Sequence, residues 1–259
     1  MSKIKFGIVT GAAGLLGFEH CKTLLNSGYG VVMIDINKSL LDQKYNILFK
    51  KYKKLPIKKF YTDITSENHL LNLVKKIKKD KIIVRILINN ACIDPKPQKI
   101  MKVKNILKSW DKELGVGLKG AYLMIELFSQ NMIDKKDGCI INVASDLSII
   151  APNQSIYRGF YKNFVKPVTY SVIKHGIIGL TKYYAASLAR FNITCNAISP
   201  AGIYNNQPKN FVKNLTKLIP MGRMAKTEDI NNTISFLINE NQKFITGQNI
   251  VIDGGRTIL

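Results

Sequence analysis

A chain of 259 residues, 46% apolar and 22% charged, has the length for one large α/β domain and too much apolar character for disorder. Its opening apolar run, Phe6 to Val9, is too short for a secretion signal and no other run approaches membrane-spanning length, so a cytoplasmic protein with no membrane partner is expected. The net charge of +22 rests mainly on lysine, with arginine only at positions 85, 158, 190, 223 and 256, which argues against a nucleic-acid partner read through bidentate guanidinium contacts.

The scattered lysines are expected on solvated helix faces, with a general pull on anionic substrates as the alternative. Cys21, Cys92, Cys139 and Cys195 lack the paired spacing of a metal site or a disulfide framework, and no metal is expected. Along the chain, Lys5 to Thr10 reads as a buried strand. The turn Gly11-Ala12-Ala13-Gly14-Leu15-Leu16-Gly17 then opens an amphipathic helix to about Ser27. Glycines there let the backbone approach a pyrophosphate, which the helix N-terminus stabilises. Val31 to Ile34 forms a second strand ending in Asp35. A carboxylate at that point can accept both ribose hydroxyls of an adenosine and would repel a 2′-phosphate, so NAD is expected in preference to NADP.

A helix from about Leu40 to Lys54 and a short strand near Lys58 to Tyr61 lead to Asp63-Ile64, after which Thr65 could cap a helix to about Lys79. The strand Arg85 to Asn89 runs into Asn90-Ala91-Cys92, and a loop through Pro95 and Pro97 reaches a long helix, about Ile106 to Met132. Gly115, Gly117 and Gly120 sit in that helix at about 1 kcal/mol each relative to Ala, which suggests close packing or a nearby ligand. Gly138 to Ala144 is a strand that delivers Ser145 at its carboxyl end, the edge where ligands sit in open α/β sheets.

After the irregular stretch Asp146 to Pro167, a helix runs to about Arg190 and carries Tyr170 and Lys174 on one face. An ammonium beside a phenol lowers the phenol pKa and makes Tyr170 a proton donor or acceptor, the alternative being a chance surface pair. Asn192 to Ile198 is a sixth strand, ending at Ser199-Pro200-Ala201-Gly202. A segment from Ile203 to Lys226 holds a short helix, Asn210 to Leu218, Thr227 could cap the last helix, and Gln248 to Ile252 is the final strand. This alternation predicts a doubly wound parallel sheet, Rossmann-like, in a single domain over 1–259. Its cofactor half is expected at about 1–140, a substrate-side insertion at 146–167 and a substrate loop at 203–226.

Taken in order, Thr10-Gly11 through Gly17, Asp63, Asn89-Asn90-Ala91, Asn142-Val143-Ala144-Ser145, Tyr170 to Lys174, Pro200, Met221-Gly222-Arg223, Thr246-Gly247-Gln248 and Asp253-Gly254-Gly255 resemble the short-chain dehydrogenase/reductases in their single-domain form. The resemblance covers essentially the whole chain. It implies hydride transfer between a nicotinamide and a carbinol carbon, with Tyr170 as acid/base and Ser145 bonded to the reacting oxygen. Lys174 would hold the nicotinamide ribose and lower the tyrosine pKa. Gly11, Gly14, Leu15 and Leu16 would line the pyrophosphate turn, Asp35 the adenosine ribose, and Asp63 with Ile64 the adenine. Asn90 and Ala91 would pass beside the adenosine half, and Pro200, Gly202, Ile203 and Tyr204 beside the nicotinamide. The resemblance also implies a homodimer or homotetramer, associating through faces that include Leu118, Tyr122, Ile125, Ile178, Thr181 and Tyr184.

The chain departs from the family pattern at Leu15, where the short form usually has its middle glycine, and at Gly117, where a relay asparagine usually stands. Ser145 and Tyr170 are also 25 residues apart, beyond the common separation, which brings Tyr157, Arg158 and Lys162 to the substrate mouth as substrate-binding candidates. Within the family, Ser145-Asp146-Leu147, the run Lys166 to His175 and the ending Asp253-Gly254-Gly255-Arg256-Thr257 resemble a subgroup linked to bacterial flagellin or surface-glycan modification and nonulosonic-acid sugars. That implies a small, sugar-like or anionic substrate. The alternatives are a 3-oxoacyl-carrier-protein reductase, whose acidic carrier the +22 charge would suit, and a nucleotide-binding regulator that has lost turnover, as Gly117 permits.

Overall fold

Short, continuous apolar runs are what a strand buried on both faces requires. Such runs form β1 (Lys5–Thr10), β2 (Gly30–Asp35), β4 (Ile83–Asn89), β5 (Gly138–Val143) and β6 (Ile193–Pro200), with the more exposed β3 (Ile57–Tyr61) and β7 (Asn249–Ile252) at the edges. The computed structural model describes residues 4–94, 103–158 and 165–259. All the strands pair in parallel, in a seven-stranded sheet of order β3-β2-β1-β4-β5-β6-β7. Because β1 lies between β2 and β4, the connections leave it in opposite directions and open a crevice at the carboxyl ends of β1 and β4.

Helices α1 (Leu15–Asn26), α2 (Lys38–Lys51) and α8 (Thr227–Ile238) cover one face of the sheet, packing Leu24, Leu41, Leu48, Ile230 and Ile234 against Val31, Met33 and Ile88. On the other face lie α3 (Glu67–Lys79), α5 (Gly120–Lys135) and α6 (Val168–Leu188), whose Leu73, Met124, Phe128 and Leu188 meet Ile8, Val84 and Leu87. The remaining α-helices among the described residues are α4 (Val103–Leu114) and the short α7 (Lys209–Thr216). The expected doubly wound architecture is therefore what the chain adopts.

Several local expectations are corrected. The long central helix is not uniform: a π-helical turn, Gly115–Lys119, separates α4 from α5. Thr65 does not cap α3. Its hydroxyl donates to Asp63 at 2.7 Å, and Ser66 is the cap, accepting from His69 N. Thr227 opens α8 rather than capping it, and the Asp229 carboxylate takes the free N–H of Lys226 at 2.8 Å. Ile125, Thr181 and Tyr184, expected on association faces, are buried in the chain's own interior, whereas Tyr122 and Tyr183 are exposed on the same helices.

One buried side chain makes stability depend on pH. His20 on α1 is fully buried with no partner for either ring nitrogen among the described residues, and burial pushes its imidazole down from 6.5 to about 4. The unfolded chain binds this proton below its ordinary pKa, and the folded chain does so only below about 4. Stability present above pH 6.5 is thus lost as the pH falls through that window. Between pH 7 and 4 the loss from this group should be about 3 kcal/mol. Urea unfolding of wild type and His20→Leu checks it: the gap in stability between the two should shift by that amount towards the variant as the pH falls, and a pH-independent gap refutes the assignment.

Candidate active site

The crevice expands into a cleft of about 900 Å³ along the carboxyl edge of the sheet. At one end is the glycine turn. Gly11 holds φ at +63°, a left-handed conformation that glycine tolerates best, and an added Cβ would lie 3.0 Å from Ala91 Cα. At Gly17 a Cβ would come within 2.0 Å of the Gly11 carbonyl oxygen, so only glycine lets α1 start this close to the turn. The Thr10 hydroxyl accepts the N–H groups of Asn90 at 3.0 Å and Ala91 at 3.1 Å. The Asn90 amide in turn donates to the carbonyls of Thr10 at 3.0 Å and Gly11 at 3.2 Å. Asn90 therefore lines the cleft while its amide braces the turn.

Asp35 stands at the end of β2, oriented by two main-chain donors: Ala13 N to Oδ2 and Asn37 N to Oδ1, both at 2.9 Å. A carboxylate has further lone pairs, which leaves acceptor capacity for a diol. Asp63 and Ile64 line the cleft beyond it, as do Gly14, Leu15, Leu16, Pro200, Gly202 and Ile203. Tyr204 does not. Its N–H is bonded to Ala225 O at 2.9 Å and its side chain is 52% exposed, outside the cleft wall.

At the other end of the cleft the structure brings Ser145, Tyr170 and Lys174 together. A buried polar chain joins the elements that carry them. Asn89 of β4 donates to Asn142 of β5 at 2.9 Å, and Asn142 donates to Thr181 of α6, also at 2.9 Å. Lys174 is buried, and its ammonium donates to Val143 O at 2.7 Å, tying α6 to the end of β5 two residues before Ser145. The ammonium lies 5.5 Å from the centre of the Tyr170 ring.

The expected lowering of the tyrosine pKa is not what the chain shows. Burial pushes the Tyr170 phenol up, Cys92, Asp94 and Asp146 add to the shift, and the hydrogen bond with Ser145 opposes it. Lys174 is committed to the Val143 carbonyl, and desolvation of a phenolate outweighs its charge. In the chain alone, the phenol keeps its proton through the neutral range.

The wall facing the substrate end comes from two segments packed on each other. Ile156 of the short helical turn Gln154–Tyr157 packs with Leu215, Ile219 and Met224, and the rings of Tyr157 and Phe211 stack with centroids 5.6 Å apart. Tyr157 lines the cleft. Arg158 is exposed and outside it, and Lys162 lies outside the described residues. A cation that sequence reasoning passed over is better placed. Lys166 lines the cleft, its ammonium 3.9 Å from the Tyr170 ring centre and paired with Asp94. Gln154 holds its backbone from both sides, accepting Lys166 N–H at 2.9 Å and donating to Lys166 O at 3.3 Å.

Gly117, the substitute for a relay asparagine, sits in the π-helical turn where a Cβ would meet Ile173 Cγ2 at 2.7 Å. Ile173 occupies the space that a larger residue would need. Also in the cleft wall but not singled out from sequence are Asp146 and Arg256, whose side chains form a buried ion pair. No group of three or more His, Cys, Asp or Glu side chains suited to a metal occurs among the described residues. No helix among them is long and apolar enough to cross a membrane.

Residues 11–257 match a protein-family model described as enoyl-(acyl carrier protein) reductase. The chain is 31% identical over 260 residues to an NAD-dependent glycerol dehydrogenase from Listeria innocua serovar 6a, covering 98% of this chain and 94% of that one. It is 30% identical over 261 residues to a 3-oxoacyl-[acyl-carrier-protein] reductase from Thermotoga maritima, covering 98% of both. A short-chain dehydrogenase from Leptospira borgpetersenii, solved with bound NAD+, superposes with a TM-score of 0.84 at 28% identity, over 98% of this chain and 93% of that chain. With a seven-stranded parallel sheet of this order and a serine, tyrosine and lysine gathered at its carboxyl edge, the chain belongs to the short-chain dehydrogenase/reductase family and is an oxidoreductase of that kind.

Proposed function

We propose that the chain is an NAD-dependent oxidoreductase acting between an alcohol and its carbonyl on a small polyhydroxylated, sugar-like or anionic substrate. The observation that carries the reading is one continuous cleft with an oriented carboxylate, Asp35, at one end and Ser145, Tyr170 and Lys174 at the other. A dinucleotide fits this lining: the turn at Gly11 and Gly17 has no room for a Cβ, and Asp35 is an acceptor in the position a ribose diol needs. When bound, the nicotinamide supplies the hydride donor or acceptor. Tyr170 holds the proton to be exchanged with the reacting oxygen, Ser145 bonds that oxygen, and Lys174 braces the ends of β5 and α6 around both.

Lys166, with Tyr157, is the substrate-facing cation of this reading, and an anionic substituent would compete with Asp94 for it. The sugar-like assignment draws on the likeness to the glycerol dehydrogenase and on the expectation of a surface-glycan role in the cytoplasm. A homodimer or homotetramer belongs to the same reading, with exposed Tyr122 and Tyr183 on the associating helices. Reduction of a 3-oxoacyl thioester is the second reading, favoured by the likeness to the Thermotoga reductase and the +22 charge. Loss of turnover has less in its favour, since Ser145, Tyr170 and Lys174 are all retained and gathered at one end of the cleft.

Fluorescence titration with NADH and NADPH tests the cofactor assignment. NADH should bind at least tenfold more tightly, about 1.4 kcal/mol, and Asp35→Ala should narrow the ratio; equal affinities refute the role of Asp35. Turnover on polyols, sugar phosphates and a 3-oxoacyl thioester then separates the two substrate readings.

A further inference from the structure

The serine of the site is itself held by a buried ion pair. Ser145 Oγ donates to Asp146 Oδ1 at 2.8 Å and accepts the Leu147 N–H at 3.2 Å. The other Asp146 oxygen is bonded to Arg256 Nη1, and Asp146 and Arg256 are only 2% and 7% exposed. Arg256 reaches the pair from 110 residues further along the chain, just past β7.

The hydrogen-bond inventory of Ser145 follows from these contacts. A hydroxyl has one proton and two lone pairs. An aspartate paired with a guanidinium is ionised and can only accept, so the Ser145 proton is committed to it. One lone pair accepts the Leu147 N–H, which Asp146 Oδ1 shares at 2.8 Å. The other faces the Tyr170 hydroxyl bonded to it, the point at which a substrate oxygen would enter between the two. We propose that Asp146, held by Arg256, is a positioning residue that fixes Ser145 as a hydrogen-bond acceptor towards the reacting oxygen, so that the site binds the alcohol in preference to its carbonyl. An alcohol that enters between Tyr170 and Ser145 can donate to that lone pair in place of the phenol. A ketone or aldehyde has no proton to offer and can be bonded by Ser145 only if the serine gives up Asp146. The inference rests on the oxidoreductase reading and names which of the two partners the site holds more tightly.

The test uses one alcohol and carbonyl pair that the intact enzyme interconverts, with KM and kcat measured in both directions. For wild type the alcohol KM should lie at least tenfold below the carbonyl KM. Asp146→Asn offers an amide that can donate to Ser145 and release the serine proton, so the ratio of alcohol KM to carbonyl KM should rise about tenfold. Because the overall equilibrium is fixed, the ratio of forward to reverse kcat must rise by the same factor. Damage to the fold alone would lower both directions together. In a Ser145→Ala background, Asp146→Asn should leave the ratio where it is, since the effect acts through the serine. A carbonyl KM at or below the alcohol KM in wild type overturns the proposal, and this comparison stands even if Asp146→Asn does not fold. So does a ratio that Asp146→Asn leaves unmoved, or moves equally without Ser145. Failure to turn over any pair overturns the oxidoreductase reading itself, and this inference with it.

Discussion

Tyr170→Phe should lower turnover by about 10²–10⁴-fold, the usual contribution of a positioned acid or base. The ring is retained, so its packing beneath the Lys166 ammonium, 3.9 Å from the ring centre, is kept. What is lost is the hydroxyl beside Ser145, and with it the group that exchanges a proton with substrate. NADH affinity should change by less than about twofold, because the adenosine end of the cleft, at Asp35 and the glycine turn, is untouched. The measurement is kcat for wild type and variant on the same substrate, alongside a cofactor titration. Turnover within threefold of wild type would remove Tyr170 from the mechanism whatever the fold.

Gly17→Ala should damage both stability and cofactor binding. The added methyl would sit 2.0 Å from the Gly11 carbonyl oxygen, 2.8 Å from its carbon and 2.9 Å from Ala12 Cα. All three are backbone atoms, so no side-chain rotation relieves the clash, and either α1 or the turn must move. Overpacking of this kind costs about 3 kcal/mol at the upper end of its ordinary range. Movement of α1 withdraws its N-terminal N–H groups from the place where a pyrophosphate would bind, and NADH affinity should fall more than tenfold. Thermal unfolding and fluorescence titration of the purified variant measure the two effects. A variant as stable and as tightly binding as wild type would show that the approach of α1 to the turn is not constrained.

The parts of the site visible in the sequence are those whose meaning is local. A buried strand running into Gly11 to Gly17, an acid at the end of the next strand, and Tyr170 and Lys174 one helical turn apart can each be read from a short window. What was not visible depends on partners far away in the chain. Asp146 and Arg256 were read as parts of separate motifs, and nothing local says that they meet across 110 residues. Lys166 was read as part of a run ahead of Tyr170, while its partner Asp94 lies 72 residues earlier. Arg158 was chosen because it is cationic and near the right place, but the turn at Gln154–Tyr157 brings Tyr157 into the cleft wall and leaves Arg158 outside. Helix starts were misjudged by a residue because Thr65 and Ser66 offer the same capping hydroxyl until the backbone chooses between them, and because α8 begins on the Asp229 carboxylate, which takes the Lys226 N–H, with no side-chain cap from Lys226. The tyrosine pKa was misjudged for a different reason: adjacency on a helix shows the cation but not the burial that penalises the phenolate.

The Asp146–Arg256 pair also has a consequence for how the protein is made. Every strand pairing in this sheet is parallel, and β1 waits for β4, whose first paired residue, Ile83, follows its partner Lys5 by more than a helix-strand-helix stretch. Contacts of this separation form slowly, since the intervening loop must close before any bond rewards it. Asp146 is made 110 residues before Arg256, so the carboxylate that holds Ser145 gains its guanidinium partner only when the segment that follows β7 has been added and folded against the sheet.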